Sequence, residues 1–156
     1  MQRVIILGLL SVLSVGQGVM VAQSVSDSAV GAWTLNRAKS TFSGAVPYGR
    51  VMKFEVAGDA IKETTYTFST DKPSVVVEYT ARFDGSDYPV SNSILSTVSL
   101  KRVDDGTVER TGKIQGQVVE TETRIVSDGG KVLTVTTKGN RDGKEYSSVQ
   151  VYDRQP

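Results

Sequence analysis

The sequence predicts an all-β fold, an antiparallel up-and-down β-barrel of roughly 8 to 10 strands, and three observations carry that prediction. From Leu95 to Tyr152, runs rich in Val, Thr and Tyr are separated by Asp104-Asp105-Gly106, Gln115-Gly116, Asp128-Gly129-Gly130 and Arg141-Asp142-Gly143. The turn centres Gly106, Gly116, Gly129 and Gly143 lie 10, 13 and 14 residues apart, the spacing of strands of about 6 to 9 residues joined by tight hairpins. No connection in this stretch has room for a crossover helix, so each strand must pair with its sequence neighbour. A long meander of that kind leaves two open edges, and curling into a barrel hides them.

The chain begins with the pattern of a signal peptide over residues 1–22. Arg3 supplies a positive start, Val4 to Val15 is apolar apart from Gly8, Ser11 and Ser14, and Met20-Val21-Ala22 offers a cleavage point. An uncleaved anchor is the alternative, but a membrane span needs about 20 apolar residues. Residues 23–30, small and polar, are expected to be a disordered lead-in. The barrel domain is expected over 31–156.

Its first strand is Gly31 to Asn36, with Trp33 and Leu35 on one face. Arg37 to Ser43 has room for one helical turn, and Gly44 to Gly49 reads as a loop. Arg50 to Ala57 alternates, Met52, Phe54 and Val56 against Lys53 and Glu55. Gly58-Asp59 is a hairpin signal, and Ile61 to Phe68 returns with Tyr66 and Phe68 on one face. After the break at Asp71-Lys72-Pro73, Val75, Val77, Tyr79, Ala81 and Phe83 give the clearest alternation of the chain. Asp84 to Pro89 is a loop, and Val90 to Ile94 leads into the meander. There, Val98 with Leu100, Val119 with Ile125, Leu133 with Val135, and Val149 with Val151 are the expected inward pairs. That makes nine candidate strands, with no internal repeat and no second domain.

Composition excludes several functions. The 156 residues contain neither His nor Cys, so Ser-His-Asp and Cys-His catalysis, N/S-ligated zinc and disulfides are all closed. The 18 basic and 17 acidic groups become 17 of each once Arg3 leaves with the signal. A neutral chain gives no electrostatic reason to bind nucleic acid or an anionic membrane surface. A transmembrane barrel needs an apolar outer band, whereas the faces assigned outward carry Lys53, Glu55, Glu78, Arg82, Glu120 and Glu122.

Gly31-Ala32-Trp33 resembles the G-x-W signature on the first strand of lipocalins and fatty-acid-binding proteins, the calycin group. The wider pattern Gly31, Trp33, Leu35, Asn36, Lys39, Ser40 and Phe42 is similar to that of small exported bacterial proteins described as lipocalin-like or uncharacterised. Later landmarks, Phe83 to Val90, Ser99 to Arg102, Thr134 to Gly139 and Val151 to Asp153, extend the likeness along the mature chain. The resemblance implies a lipocalin-like barrel with Trp33 closing one end and Arg154 packed over it. Fatty-acid-binding proteins carry an Arg-x-Tyr on the last strand for the ligand carboxylate; the matching place here is Gln150-Val151-Tyr152, and their two-helix lid is absent.

Of the chemistry the residues could supply, acid–base work would fall to a carboxylate pair, Asp84 with Asp87 or Glu120 with Glu122. The bland reading makes the aspartates turn formers and turns the glutamates to water. Calcium at Asp84 and Asp87 lacks enough regularly spaced oxygens, and no metal or cofactor is expected. Phe54, Tyr66, Phe68, Tyr79 and Phe83 are the candidate lining of a ligand cavity, or equally the filling of a closed core. Arg110 and Arg124 join the ligand-binding candidates: if either points inward, a buried charge demands a carboxylate partner or an anionic ligand. The expected protein is a non-enzymatic, exported (periplasmic or secreted) monomer. It would bind a small apolar or amphipathic molecule inside, with no nucleic-acid partner and no membrane insertion. A filled-core interaction module and a carboxylate-dependent hydrolase are the alternatives.

Overall fold

The structure, a computed structural model, describes residues 25–72 and 74–156. The expected signal peptide, 1–22, lies outside the described residues. Ten strands follow in order: β1 (Gly31–Phe42), β2 (Gly49–Ala57), β3 (Ala60–Phe68), β4 (Val75–Ala81), β5 (Tyr88–Ser91), β6 (Thr97–Arg102), β7 (Thr107–Ile114), β8 (Gln117–Ser127), β9 (Val132–Arg141) and β10 (Lys144–Arg154). Each pairs antiparallel with its sequence neighbours, and β1 also pairs with β10, so the sheet is a closed barrel. Closure leaves no edge strand unpaired.

The hairpins explain why the sequence folds this way. At Gln115-Gly116 and Asp142-Gly143 both loop residues sit at positive φ, 50° and 80° in the first, 52° and 76° in the second. That is the type I′ geometry whose twist matches flanking strands. Each tight loop then fixes a register. Gly58-Asp59 sets Ala57 opposite Ala60, which puts Phe54 opposite Glu63 and Met52 opposite Thr65. Across the last hairpin Leu133 faces Tyr152 and Val135 faces Gln150.

Those registers correct several expected faces. Because Met52 and Phe54 are buried, β3 turns Ile61, Glu63, Thr65 and Thr67 inward and sends Tyr66 and Phe68 to the outside, 37% and 39% exposed. On β10 the inward residues are Gln150 and Tyr152, so Val149 faces out, and on β8 Ile125 does likewise. Glu120 and Glu122, expected to face water, point into the barrel with side chains 11% and 7% exposed. A one-residue register shift between Gly112 and Lys113 brings Arg110 opposite Glu122.

Three further expectations are corrected. Arg37 to Ser43 is not helical: β1 runs on to Phe42, with an irregularity between Asn36 and Thr41. Ser40 Oγ bridges it, donating to the Asn36 carbonyl at 2.7 Å and accepting from the Val151 N–H at 2.9 Å. The tenth strand, β5, falls where a loop and a lead-in were expected, because Tyr88 and Val90 pair with Val98 and Tyr79. Finally, the described part of the expected disordered lead-in, residues 25–30, is packed. Asp27 caps its own turn, accepting from the Ala29 N–H at 2.9 Å, and Ala29 is buried against Trp33.

Two apolar clusters form the core. One surrounds Trp33 with Leu35, Phe54, Ile61, Leu133 and Tyr152; the other joins Tyr79, Ala81, Leu95, Val98, Leu100 and Val108 along the opposite wall. Between them lies a polar interior.

Candidate functional site

One end of the barrel is sealed. Trp33 is fully buried, and its indole N–H donates to the Ala29 carbonyl at 2.7 Å. Its register partner is Arg154, whose guanidinium carbon lies 4.2 Å from the indole centroid. From that position Arg154 donates to the carbonyls of Val30 and Ser28, each at 2.7 Å, and to that of Gly130. The contact combines cation–π attraction with hydrogen bonds to otherwise unpaired carbonyls. It also requires Gly31, since a Cβ there would stand 2.7 Å from Arg154 Nη1.

Above this plug sits a layer of buried charge. Arg124, 2% exposed, donates to Glu63 at 3.1 Å and lies over the Phe54 ring at 4.8 Å. Glu63 also accepts from the hydroxyls of Tyr79 and Thr65. Arg110 bridges Glu120 at 2.8 Å and Glu122 at 2.6 Å. Burial alone would raise the Glu122 carboxyl, but the charge and hydrogen bond of Arg110, helped by Arg124, outweigh it and hold Glu122 below the usual carboxylate range. Burial pushes the Tyr79 hydroxyl well above the ordinary tyrosine value. Glu122 is thus held as a carboxylate by arginine, a poor state for proton transfer.

The charged layer faces a chamber of about 330 Å³. Its apolar wall comes from Met52, Val77, Val90, Leu95 and Val135. Its polar wall comes from Arg50, Glu63, Arg110, Glu120, Glu122 and Gln150, with the hydroxyls of Thr65, Thr67, Thr137 and Ser148. Gln150 accepts from both Tyr152, at 2.6 Å, and Arg50, at 2.7 Å. Toward the open end, Arg50, Arg141, Tyr146, Ser148 and Gln150 are shared with an outer vestibule of about 680 Å³ beneath the Phe42–Pro47 segment. Tyr146 packs against Gly139, where a Cβ would collide with its ring, and its hydroxyl donates to Glu120 at 2.7 Å.

The sequence candidates therefore divide. Tyr79 and Arg110 line the chamber. Phe54 and Arg124 are buried beside it in the layer beneath, and Phe83 is half-buried against both core clusters with Arg102 over its ring. Tyr66 and Phe68 do not line it, for the register reason above. Asp84 and Asp87 are engaged at the surface: Asp84 accepts from the Ser86 N–H and the Tyr88 hydroxyl, and Asp87 pairs with Lys113 at 2.8 Å. Among the described residues no group of acidic side chains is arranged to hold a metal ion. The lining residues missed in the sequence are chiefly Arg50, Glu63 and Gln150, while Glu120 and Glu122, named as a carboxylate pair, were expected to face water; hairpin register was the signal that could have found Glu63 and Gln150.

A closed ten-stranded antiparallel barrel, plugged at one end by a Trp–Arg stack and holding an internal chamber, defines a lipocalin/fatty-acid-binding type of fold. A solved structure shares the fold. Zebrafish ileal bile acid-binding protein, in its complex with cholic acid, superposes with a TM-score of 0.53 at 14% identity, covering 83% of this chain and 100% of that one. The siderocalin Ex-FABP gives a TM-score of 0.42 at 11% identity, covering 83% of this chain and 71% of that chain. No protein-family model and no curated protein matches the sequence.

Proposed function

We propose that this chain is an exported, monomeric binding protein that takes up a small amphipathic molecule in its interior. The observation that carries the reading is the chamber itself: about 330 Å³, inside the closed sheet, with one apolar and one polar wall. A wholly apolar guest would leave charged groups facing hydrocarbon, which is costly; a guest with both kinds of surface suits both walls. The fold likeness to a barrel that holds cholic acid supports binding over catalysis. So does the pairing of Glu120 and Glu122 with Arg110, which leaves neither free as a general acid. Export rests on the signal-like pattern of residues 1–22 and on the resemblance to small exported bacterial proteins.

Native mass spectrometry of protein purified from its own host tests the reading. The expected spectrum shows a chain beginning at or near Gln23 that carries a small molecule released on denaturation. Full-length chain retained in the membrane fraction would contradict export. A ligand-free spectrum, together with no uptake of any amphipathic probe, would contradict binding.

A further inference from the structure

We propose that Arg50 anchors an acidic group, a carboxylate or sulfate, of the molecule bound in the chamber; the inference rests on the binding reading above and names the chemistry of its guest. Arg50 stands where the chamber meets the vestibule and lines both. The interior arginines Arg110 and Arg124 each contact carboxylates. Arg50 does not. Its Nε donates to Thr67 Oγ1 at 3.1 Å and its Nη1 to Gln150 Oε1 at 2.7 Å, both neutral acceptors, and among the described residues no acidic side chain forms an ion pair with it. A guanidinium fixed in plane by neutral acceptors keeps the rest of its donor fork for an anion, and that fork matches carboxylate geometry.

The ion pairing points the same way. Arg110 and Arg124 hold all three glutamates around the chamber in hydrogen-bonded ion pairs, which leaves the Arg50 guanidinium with no carboxylate in contact among the described residues. The hydroxyls of Thr67 and Ser148 line the same space and offer further donors. From that position an alkyl or ring portion runs inward along Met52, Val77, Leu95 and Val135.

The test is calorimetric titration of the intact barrel with decanoate, decyl sulfate, decanol and decylammonium. Both acids should bind about tenfold or more tightly than decanol, and decylammonium most weakly. Arg50→Gln should bring decanoate and decanol to the same affinity. Arg50→Lys, which keeps the charge without the fork, should restore part of the preference, and it covers the case in which the Gln variant fails to fold. Lys53→Gln on the outer face should leave the preference intact. Decanol or decylammonium binding as tightly as decanoate would overturn the assignment of Arg50 and leave the binding reading standing. Undiminished decanoate preference in either Arg50 variant would overturn it too. Uptake of none of the four probes would overturn the binding reading together with it.

Discussion

Replacing Glu63 with Gln isolates what the buried charge layer contributes. The substitution keeps the shape and one of the two acceptor oxygens, which serve Thr65 and Tyr79 separately, and removes the counter-charge of Arg124. That arginine is 2% exposed and makes its close ion pair, at 3.1 Å, with Glu63. Its other acidic neighbour, Glu122, stands 3.8 Å away without a hydrogen bond and is already held by Arg110 at 2.6 Å. Removing one partner of a buried pair costs about 3 to 5 kcal/mol. Phe54 beneath the guanidinium and the distant help of Glu122 place the expected loss near the lower bound, about 3 kcal/mol. Adding Arg124→Met removes the stranded charge, so the double variant should recover much of the loss, with a coupling above about 1.5 kcal/mol. Urea unfolding near neutral pH, followed by Trp33 fluorescence and far-ultraviolet circular dichroism together, measures both quantities. A loss below about 1 kcal/mol for Glu63→Gln, or simple additivity in the double variant, would refute a dry, mutually dependent pair.

The remaining expectations concern the strand faces, the sealed end and the vestibule. Tyr79→Ala should cost about 3 to 5 kcal/mol, as large-to-small core changes do, while Thr80→Ala, exposed one residue along, should cost less than about 1 kcal/mol; equal losses in urea unfolding would mean the faces of β4 are wrongly assigned. In a cycle of Trp33→Leu and Arg154→Gln the stack should show a coupling of about 1 to 2 kcal/mol, and a value under about 0.3 kcal/mol would make Arg154 a bystander. Burial, and then the hydrogen bond to Glu120, push Tyr146 up from 10.0 to about 12. A raised folded-state value means the neutral phenol is favoured: its contribution to stability is complete below pH 10.0 and disappears as pH climbs through about 12. Phenolate absorbance should therefore show a late-titrating tyrosine that Tyr146→Phe removes and Glu120→Gln moves to lower pH; a spectrum unaffected by either variant would contradict the contact.

How legible the molecule is in its sequence differs between fold and site. Turn residues such as Gln115-Gly116 and Asp142-Gly143 announce the meander, because few other dipeptides adopt two successive positive φ angles. Alternation finds the buried side where the interior is apolar, as at Met52, Phe54 and Tyr79. It fails where the interior is charged. On β3 the aromatic pair Tyr66 and Phe68 outweighed the lone Ile61 in any count of hydrophobic positions, yet the hairpin register from Phe54 leads to Glu63. The same step across the last hairpin leads from Val135 to Gln150. Glu120 and Glu122 needed more, since the register shift beside Gly112 reverses the face that simple counting assigns. Arg50, at the start of an otherwise plain strand, carried no local signal; its role emerges only when Thr67, Gln150 and the chamber are seen around it.

The central claim, that the guest occupies the space inside the barrel, is tested most directly by filling that space. Val77 lines the chamber, and Val77→Trp would place an indole where the guest's apolar portion lies. Titration of a fluorescent anilinonaphthalene sulfonate into wild type and variant, each confirmed folded by circular dichroism, gives the measurement. The structure predicts one saturable site in the wild type and a loss of at least about tenfold in affinity in the variant; equal binding by both proteins would place the site on the outer surface and contradict the claim.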